Sequence, residues 1–358
     1  KTIRIRGLVV GQDGEQRSIR FIVGIPSDTD DHVVATPFVT TNSLVTIQKA
    51  FITTSLALNG VTTDDVVART GATIRVDLSW QNNLSTPVSD MEIQVALSGT
   101  ALNRNSVTVP NGFYRSSDNT VIFNKRNILG LDTIASGNGG KASFSLTVLP
   151  PSAFPSTSLS NAGISFLVTT NAKSSDTETA RDLSSVLSRH VKITTDFHLT
   201  SRGLYFSGPF TNTGPIPPKV DQDTTYTIVW SVDNNLNLVR RGQVTATIPS
   251  YVTWMNIVTP SDQERVSYNP DTGKITWDLG DVRSGTGSAS PRREVSFRVS
   301  LRPSLSQLGS SPVLVSGIQL TGVDSFTGTS VGEQANAIST RLLADPLFDS
   351  SKDDKVIN

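Results

Sequence analysis

The chain contains no cysteine, which excludes disulfides, thiolate catalysis and cysteine-ligated metal sites. Cysteine-free chains are compatible with the cytosol and also with export, where misoxidation is then avoided. The chain also has no net charge, because 31 basic side chains balance 31 acidic ones. A balanced chain has no electrostatic footprint for nucleic acid or for an anionic membrane surface, so we predict neither partner.

Long apolar runs are also missing. No run reaches the ~18 residues of a membrane-spanning helix, and we predict no membrane span. Aromatic residues make up only 6% of the chain, which leaves few candidates for an exposed binding platform. The sequence opens at Lys1 without a methionine and with strand-like residues 2–5, so we expect a fragment of a longer protein or a processed product.

The dominant pattern of the sequence is an alternation with a period of two. Val76, Leu78 and Trp80 alternate with Asp77 and Ser79, and residues 226–232 repeat the same alternation. Turn signals of the Asn-Gly and Asp-x-Gly type separate such runs at short intervals. Strands at this spacing favour β-sandwiches over α/β folds. The only helical candidate covers residues 177–188.

Parts of the chain repeat after about 150 residues. Residues 225–230 echo residues 74–80, and both lead into an Asn-Asn-Leu sequence. Residues 295–303 match residues 142–150, and residues 18–26 supply a third copy of that strand. The repetition predicts tandem domains, and the 358 residues are enough for two or three of them.

The repeats also predict the domain boundaries. We expect a partial β-sandwich over residues 1–48, full sandwiches over 49–194 and 195–344, and a C-terminal tail over 345–358. The junctions have strand character and lack the Gly/Ser runs of flexible linkers. Stiff connections of this kind predict an elongated arrangement of the domains.

The second copy resembles a known family. Residues 225–234, 243–254 and 273–280 are similar to the corresponding strands of bacterial cell-surface repeat proteins of the immunoglobulin-like, conserved-repeat type. The middle copy departs from the pattern, since Phe123 stands where the second copy has Trp277. There the resemblance consists of strand pattern and spacing.

The resemblance implies immunoglobulin-like sandwiches in an extracellular or cell-surface structural protein, a stalk, surface layer or filament segment. It transfers no catalytic residue and implies association with neighbouring repeats or with further copies. The alternative is an adhesin, a carbohydrate- or protein-binding module carried on such a stalk. Its candidate aromatic contacts are Tyr114, Tyr205 and Tyr251. Similar modules also occur in viral fibres.

Catalytic signatures are missing from the sequence. The histidines are His32, His190 and His198, and neither a nucleophile elbow nor a zinc-protease helix motif accompanies them. Residues 285–290 are rich in glycine but lack the lysine and the following helix of a phosphate-binding loop, so we predict a hairpin loop. We therefore predict that the protein is not an enzyme and has no organic cofactor.

One acidic loop is a candidate metal site. Asp28, Asp30 and Asp31 follow Pro26 close to a predicted domain junction, and calcium prefers oxygen ligands from such loops. The competing interpretation is a solvated turn that uses Asp as a cap. EF-hand spacing is missing, and both interpretations stay open.

The first domain has too few strands to bury a sheet face. Either upstream sequence belongs to it, or a neighbouring copy completes it, or it packs on the middle domain. The C-terminal residues 342–358 are the candidate donor strand in the second case.

Overall fold

The computed structural model describes residues 16–27, 30, 33–46, 51–174, 182–260 and 264–358. Within these ranges the chain is all-β, since its other regular elements are 3₁₀ helices of three residues each. The predicted fold class is confirmed. The chain forms two compact units. The second comprises Val67–Ala72, Leu149–Gly163 and Lys192–Asn358; the first holds the remaining described residues.

The first two strands form a hairpin with a sheet of its own. Strand β1 (Gln16–Pro26) pairs antiparallel with β2 (Val34–Thr46). These strands confirm the predictions at residues 18–25 and 33–39, whereas the strand predicted at residues 2–5 lies outside the described ranges. Most side chains of the hairpin are exposed on both faces.

The next ten strands form a three-stranded and a seven-stranded sheet. Their bounds are β3 (Ile52–Leu58), β4 (Asp65–Ala68), β5 (Thr73–Asn82), β6 (Val88–Ser98), β7 (Phe113–Arg115), β8 (Thr120–Phe123), β9 (Thr133–Ile134), β10 (Gly139–Thr147), β11 (Gly163–Ser174) and β12 (Asp182–Ile193). The small sheet has the order β10-β5-β3. The large one has the order β4-β12-β11-β6-β8-β7, with β9 paired to β6.

The last ten strands form a four-stranded and a six-stranded sheet. Their bounds are β13 (Phe197–Leu204), β14 (Thr224–Asn234), β15 (Val239–Thr247), β16 (Val252–Thr259), β17 (Arg265–Asn269), β18 (Lys274–Val282), β19 (Arg293–Leu301), β20 (Val313–Asp324), β21 (Ser330–Gln334) and β22 (Ile338–Ser339). The orders are β13-β14-β19-β16 and β17-β18-β15-β20-β21, with β22 paired to β20. One apolar core draws side chains from both sheets, which makes this unit a β-sandwich.

The period-two pattern predicts the buried face of β5 correctly. Val76, Leu78 and Trp80 are buried, while Arg75 and Gln81 on the other face are exposed. Successive side chains of a strand point to opposite faces, and only one face of this sheet lies against the core.

Strand β14 departs from that simple alternation, because both of its faces are covered. Its inward residues belong to the core, as predicted, and the residues between β13 and β14 cover its outer face. The Thr213 backbone N–H donates to Thr225 Oγ1 at 2.8 Å, and Asn212 Nδ2 donates to Thr227 Oγ1 at 3.0 Å. The alternation of β14 itself contains no sign of this cover, because the covering segment lies outside the strand.

The three-stranded sheet of the first unit and the four-stranded sheet of the second, called the two small sheets, have the same strand register. The two tryptophans nevertheless occupy different positions in that register. Asn82 lies opposite the first residue of β3, and Asn234 lies opposite the first residue of β13. Trp80 precedes Asn82 by two residues, whereas Trp230 precedes Asn234 by four. The predicted equivalence of Trp80 and Trp230 is therefore wrong by two residues. A shift of two residues preserves the face on which a side chain lies, so alternation cannot detect it.

Aromatic side chains fill the core of the second unit. Trp230 stacks on Trp277 with ring centroids 6.5 Å apart, and Phe297 meets Trp230 edge-on at 4.8 Å. All three are fully buried, as is Tyr226, and this burial raises the pKa of the Tyr226 hydroxyl. The predicted core role of Trp230 and Trp277 is confirmed.

The helix predicted over residues 177–188 is wrong where the structure describes it. Residues 182–188 belong to strand β12, which continues to Ile193. Leu183, Val191 and Ile193 are separated by even numbers of residues and are buried on one face of the strand. The His190 N–H donates to the Asp64 carbonyl at 3.0 Å, which holds this segment in an extended pairing.

Candidate functional site

A fully buried carboxylate, Asp324, organises the polar interior of the second unit. Its Oδ2 accepts the Thr195 backbone N–H at 2.8 Å and an Asn237 amide hydrogen at 2.9 Å. Its Oδ1 accepts the backbone N–H groups of Phe326 and Thr327 at 2.9 and 3.1 Å. Such a set of donors compensates a buried negative charge and fixes the β13 approach against the end of β20.

The Asn-Asn-Leu sequence found in both repeats supplies part of the same network. Asn234 Nδ2 donates to the carbonyls of Asn237, Val282 and Arg283 at 2.8 to 3.1 Å. Its Oδ1 accepts the Thr195 hydroxyl at 2.6 Å. Because every polar atom of this buried amide is used by the protein itself, the motif has a structural role.

The same position in the first unit is built alike. Asn82 Nδ2 donates to the carbonyls of Thr86 and Ile134 at 3.0 Å, and Asn82 Oδ1 accepts the Leu84 N–H at 3.0 Å. Asn83, the next residue, donates its amide to the Thr53 hydroxyl at 2.6 Å.

A second buried charge cluster lies in the core of the second unit. Glu264 accepts two hydrogen bonds from the Arg293 guanidinium, and its Oε2 also accepts the Trp277 indole N–H at 2.8 Å. The Glu264 carboxylate raises the pKa of Arg293. The sequence marked Trp277 as a core residue but contained no signal for its two partners, which lie in other strands and loops.

A polar cleft of about 740 Å³ lies beside β21 in the second unit. On its wall His198 Nδ1 lies 2.6 Å from Glu333 Oε1, and the Thr70 hydroxyl donates to Asp196 at 2.6 Å. Glu333 also accepts the Leu199 backbone N–H. The His198 side chain is 59% exposed, and a solvent-exposed contact of this kind contributes under about 1 kcal/mol to stability.

The other predicted chemical candidates have structural surroundings. His190 Nδ1 lies 3.0 Å from the Ser165 hydroxyl on the neighbouring strand. In the glycine-rich segment between β18 and β19, the Gly285 carbonyl accepts the N–H groups of Ala289 and Ser290 at 2.7 and 3.0 Å. This closes a tight loop, but the predicted hairpin is wrong, because β18 and β19 belong to different sheets and the loop connects them.

The three aromatic candidates for ligand contact differ in availability. The Tyr114 hydroxyl donates to Asn119 Oδ1 at 3.1 Å, and the Tyr205 hydroxyl donates to the Gly214 carbonyl at 2.5 Å. Burial raises the pKa of both hydroxyls. Tyr251 is exposed at the start of β16, and Met255 and Ile257 are exposed along the same edge strand.

Trp254 lies beside these exposed residues, but its ring is occupied. It stacks on Tyr268 at 5.5 Å and packs against Phe297 at 5.1 Å. The surface that the β16 edge offers to a ligand therefore consists of Tyr251, Met255 and Ile257 rather than of the indole.

The predicted calcium ligands lie mostly outside the described ranges. Asp28 and Asp31 belong to the omitted residues, and the exposed Asp30 accepts the Val33 N–H on its backbone carbonyl at 3.1 Å. Among the residues that the structure describes, no group of three or more His, Asp or Glu side chains could hold a metal ion. The calcium site stays a prediction.

The C-terminal tail packs on its own unit. The Val220 N–H donates to the Ile357 carbonyl at 2.9 Å, and the Ile357 N–H donates to the Pro218 carbonyl at 2.9 Å. Val356 is buried and exchanges backbone hydrogen bonds with Gly309 and Ser310. In this arrangement the tail is committed to its own fold, contrary to its predicted use as a donor strand for a neighbouring copy.

Asp345 fastens the start of this tail. Burial alone would raise its pKa, but its Oδ2 accepts the Tyr205 and Phe206 N–H groups at 2.7 Å each. Together with bonds from Ser207 and Leu347, these hydrogen bonds hold the pKa of Asp345 below its usual value of 3.8. Hydrogen bonds donated to the carboxylate favour its charged form over the protonated form.

We expect Asp345→Asn to lower the free energy of unfolding at pH 7 by about 1–3 kcal/mol, because two backbone donors lose a charged acceptor. A depressed pKa contributes stability that is present above the unfolded-state value and is lost as the pH falls through the folded-state value. The difference between wild type and variant should therefore shrink at pH 3, measured by urea unfolding. Asp271→Asn, a change at an exposed turn aspartate of the same unit, is the control. An equal difference at both pH values would contradict this role.

In the part of the chain that the structure describes, no helix has the length and apolar character that crossing a membrane requires.

No family model matches the chain, and no curated protein matches it. Among solved structures, the C-terminal domain of the AgI/II polypeptide BspA of Streptococcus agalactiae is similar with a TM-score of 0.27 and 10% identity, over 79% of this chain and 98% of that one. The C-terminal domain of the antigen I/II-family protein AspA of Streptococcus pyogenes has a TM-score of 0.27 and 9% identity, over 81% and 99%. A cohesin–dockerin complex from Clostridium thermocellum has a TM-score of 0.24 and 16% identity, over 39% and 92%. At these TM-scores the likenesses carry no argument about function.

Proposed function

We propose that the chain is a non-enzymatic structural segment of an extracellular or cell-surface assembly, a stalk, surface layer or filament built from tandem immunoglobulin-like β-sandwiches. The observation that carries the proposal is the common register of the two small sheets. In both, the asparagine, Asn82 or Asn234, lies opposite the first residue of the paired strand and donates its side-chain amide to backbone carbonyls beyond the strand end. Repetition of one module adds length and surface.

The way in which the second unit uses its buried carboxylates supports a structural role. Asp324, Glu264 and Asp345 each accept hydrogen bonds from backbone or side-chain groups of their own unit. A catalytic carboxylate must instead direct an oxygen toward a reacting atom in a pocket. These three stabilise the sandwich and its tail.

Within this proposal the modules follow the sequence repeat: an incomplete sandwich over residues 1–48, sandwiches over 49–194 and 195–344, and the tail over 345–358. Partners are neighbouring repeats or further copies of the same chain. The absence of cysteine fits a location outside the cell, where misoxidation is then avoided.

Surface labelling tests the proposed location. Antibodies raised against the recombinant chain should label intact source cells, and external protease should remove the label while a cytosolic marker persists. Labelling that appears only after the cells are permeabilised would overturn the proposal.

The exposed β16 edge favours adhesion as a second candidate function. Tyr251, Met255 and Ile257 are each 37% exposed, and apolar side chains grouped on one edge are typical of contact surfaces. The chain should then bind one member of a panel of immobilised polysaccharides and proteins saturably, and Tyr251→Ala should remove that binding. Tyr114→Ala, in the other unit, serves as the control. Binding to no member of the panel, or binding that Tyr251→Ala leaves intact, rejects this function.

We keep calcium binding by the Asp28, Asp30 and Asp31 loop as a proposal. Oxygen ligands from a loop order that loop when they share a cation, so excess chelator should lower the melting temperature of the intact chain. The variant with Asp28, Asp30 and Asp31 replaced by Asn should be insensitive to chelator. An unchanged melt of the wild type, with no calcium in elemental analysis, removes the site.

A further inference from the structure

The β1–β2 hairpin presents one apolar face without cover in the described part of the chain. Ile19, Phe21, Val23 and Ile25 alternate along β1, and the cross-strand partner Val39 lies on the same face beside Val23. Val23, Ile25 and Val39 are each at least half exposed. A two-stranded ribbon of this kind is marginally stable alone, because it buries too little apolar surface.

The same strand pattern is buried in both compact units. Phe144, Leu146 and Val148 repeat the spacing of Phe21, Val23 and Ile25, and they are 1–2% exposed. Phe297, Val299 and Leu301 repeat it again and are fully buried. In each unit the phenylalanine-bearing strand pairs with a central tryptophan-bearing strand, β5 beside β10 and β14 beside β19.

Each phenylalanine-bearing strand of the two units has the tryptophan-bearing strand as a neighbour, and for β10, which lies at the edge of its sheet, it is the only one among the described strands. Strand β19 lies between β14 and β16 in its sheet. In the hairpin, β2 occupies one side of β1, and the described residues place no strand on the other side. The unfilled position corresponds to that of the tryptophan-bearing strand.

We propose that the hairpin is an interaction surface that accepts, along the free edge of β1, an antiparallel strand of the β5 type from another sandwich module. The strand extends the sheet and places alternating apolar side chains and a tryptophan beside Phe21 on the same face. This inference rests on the proposed repeat architecture and names the partner that the repeat needs.

Charge complementarity selects the β5 type and its register. In the first unit Phe144 lies opposite Val76, and Ser143 lies opposite Asp77. If Phe21 takes the position of Phe144, Arg20 takes the position of Ser143 and faces the aspartate across the strands. Opposite charges at directly facing positions stabilise a strand pair. In strand β14 the residue at the position equivalent to Asp77 is Val229, which carries no charge.

The test uses the full chain and a labelled synthetic peptide that copies residues 73–82. Fluorescence anisotropy should show saturable binding, and Phe21→Asp should weaken it at least about tenfold, as expected when a buried anchor is replaced by a charge. Ile22→Asp, a change at the adjacent residue on the opposite face, should leave the affinity within about twofold. Melting of the two compact units should be the same in both variants, which shows that neither change unfolds the chain.

A charge exchange separates register-specific pairing from unspecific adhesion. Arg20→Asp should weaken binding of the original peptide, and a peptide with the Asp77 position changed to Arg should restore it. Absence of binding, equal losses for Phe21→Asp and Ile22→Asp, or failure of the exchanged pair to recover would each overturn the proposal. Because the readout is binding in solution, a negative result leaves the proposed surface location to its own test.

Discussion

Replacing Trp230 with alanine is expected to lower the free energy of unfolding of the second unit by about 3–5 kcal/mol, the range for large aromatic residues in cores. The side chain is fully buried, and its ring contacts Trp277 and Phe297 at 6.5 and 4.8 Å. Alanine would leave a cavity between the two sheets that a close-packed sandwich fills only partly by relaxation.

The measurement is urea unfolding followed by tryptophan fluorescence, in which Trp254 and Trp277 still report on the second unit. Tyr251→Ala is the control, since that exposed ring should matter by less than about 0.5 kcal/mol. A loss below about 1 kcal/mol for Trp230→Ala would show that the indole is not part of the core.

Replacing Asp324 with alanine should cost more than about 3 kcal/mol, because several buried donors would lose their acceptor at once. The Thr195, Phe326 and Thr327 N–H groups and the Asn237 amide all point at its two oxygens. Water has no access to a carboxylate that is fully buried, so the loss is not compensated by solvation.

Asp324→Asn separates charge from shape, since the amide keeps the size but turns an N–H₂ toward donors. It should remain destabilising, by urea unfolding, whereas Asp271→Asn in the exposed β17–β18 turn should fall within about 0.5 kcal/mol of wild type. Equal effects at Asp324 and Asp271 would contradict the network described here.

Those features of the fold that depend on the residues of a single strand could be predicted from the sequence. Alternation identified the buried faces of β5 and β14 because each side chain's direction follows from its parity. Register cannot be predicted in the same way: the sequence similarity pairs Trp80 with Trp230, whereas their positions in the two sheets differ by two residues. A shift of two residues leaves every side chain on the same face of its strand, so alternation does not reveal it. Asn82 and Asn234, which each lie opposite the first residue of the paired strand, do reveal the register.

The polar interior was beyond sequence analysis for a different reason. Asp324 meets Thr195 across 129 positions of sequence, and Asp345 meets Tyr205 across 140. No periodicity connects such residues, and each carboxylate resembles an ordinary turn aspartate in the sequence. Leu183 and Val186 also fit the spacing of a helix, so the pattern of residues 182–188 does not decide between helix and strand; in the structure β12 pairs with β4 and β11.

The repeated sandwich, on which the proposed structural role depends, is tested most directly by cross-strand NOEs from the backbone of the intact chain. Contacts should place Asn82 opposite Ile52 and Asn234 opposite Phe197, with Trp80 opposite Thr54 and Trp230 opposite Ser201. A common module would be contradicted if the contacts placed Asn82 and Asn234 at different register positions in the two small sheets.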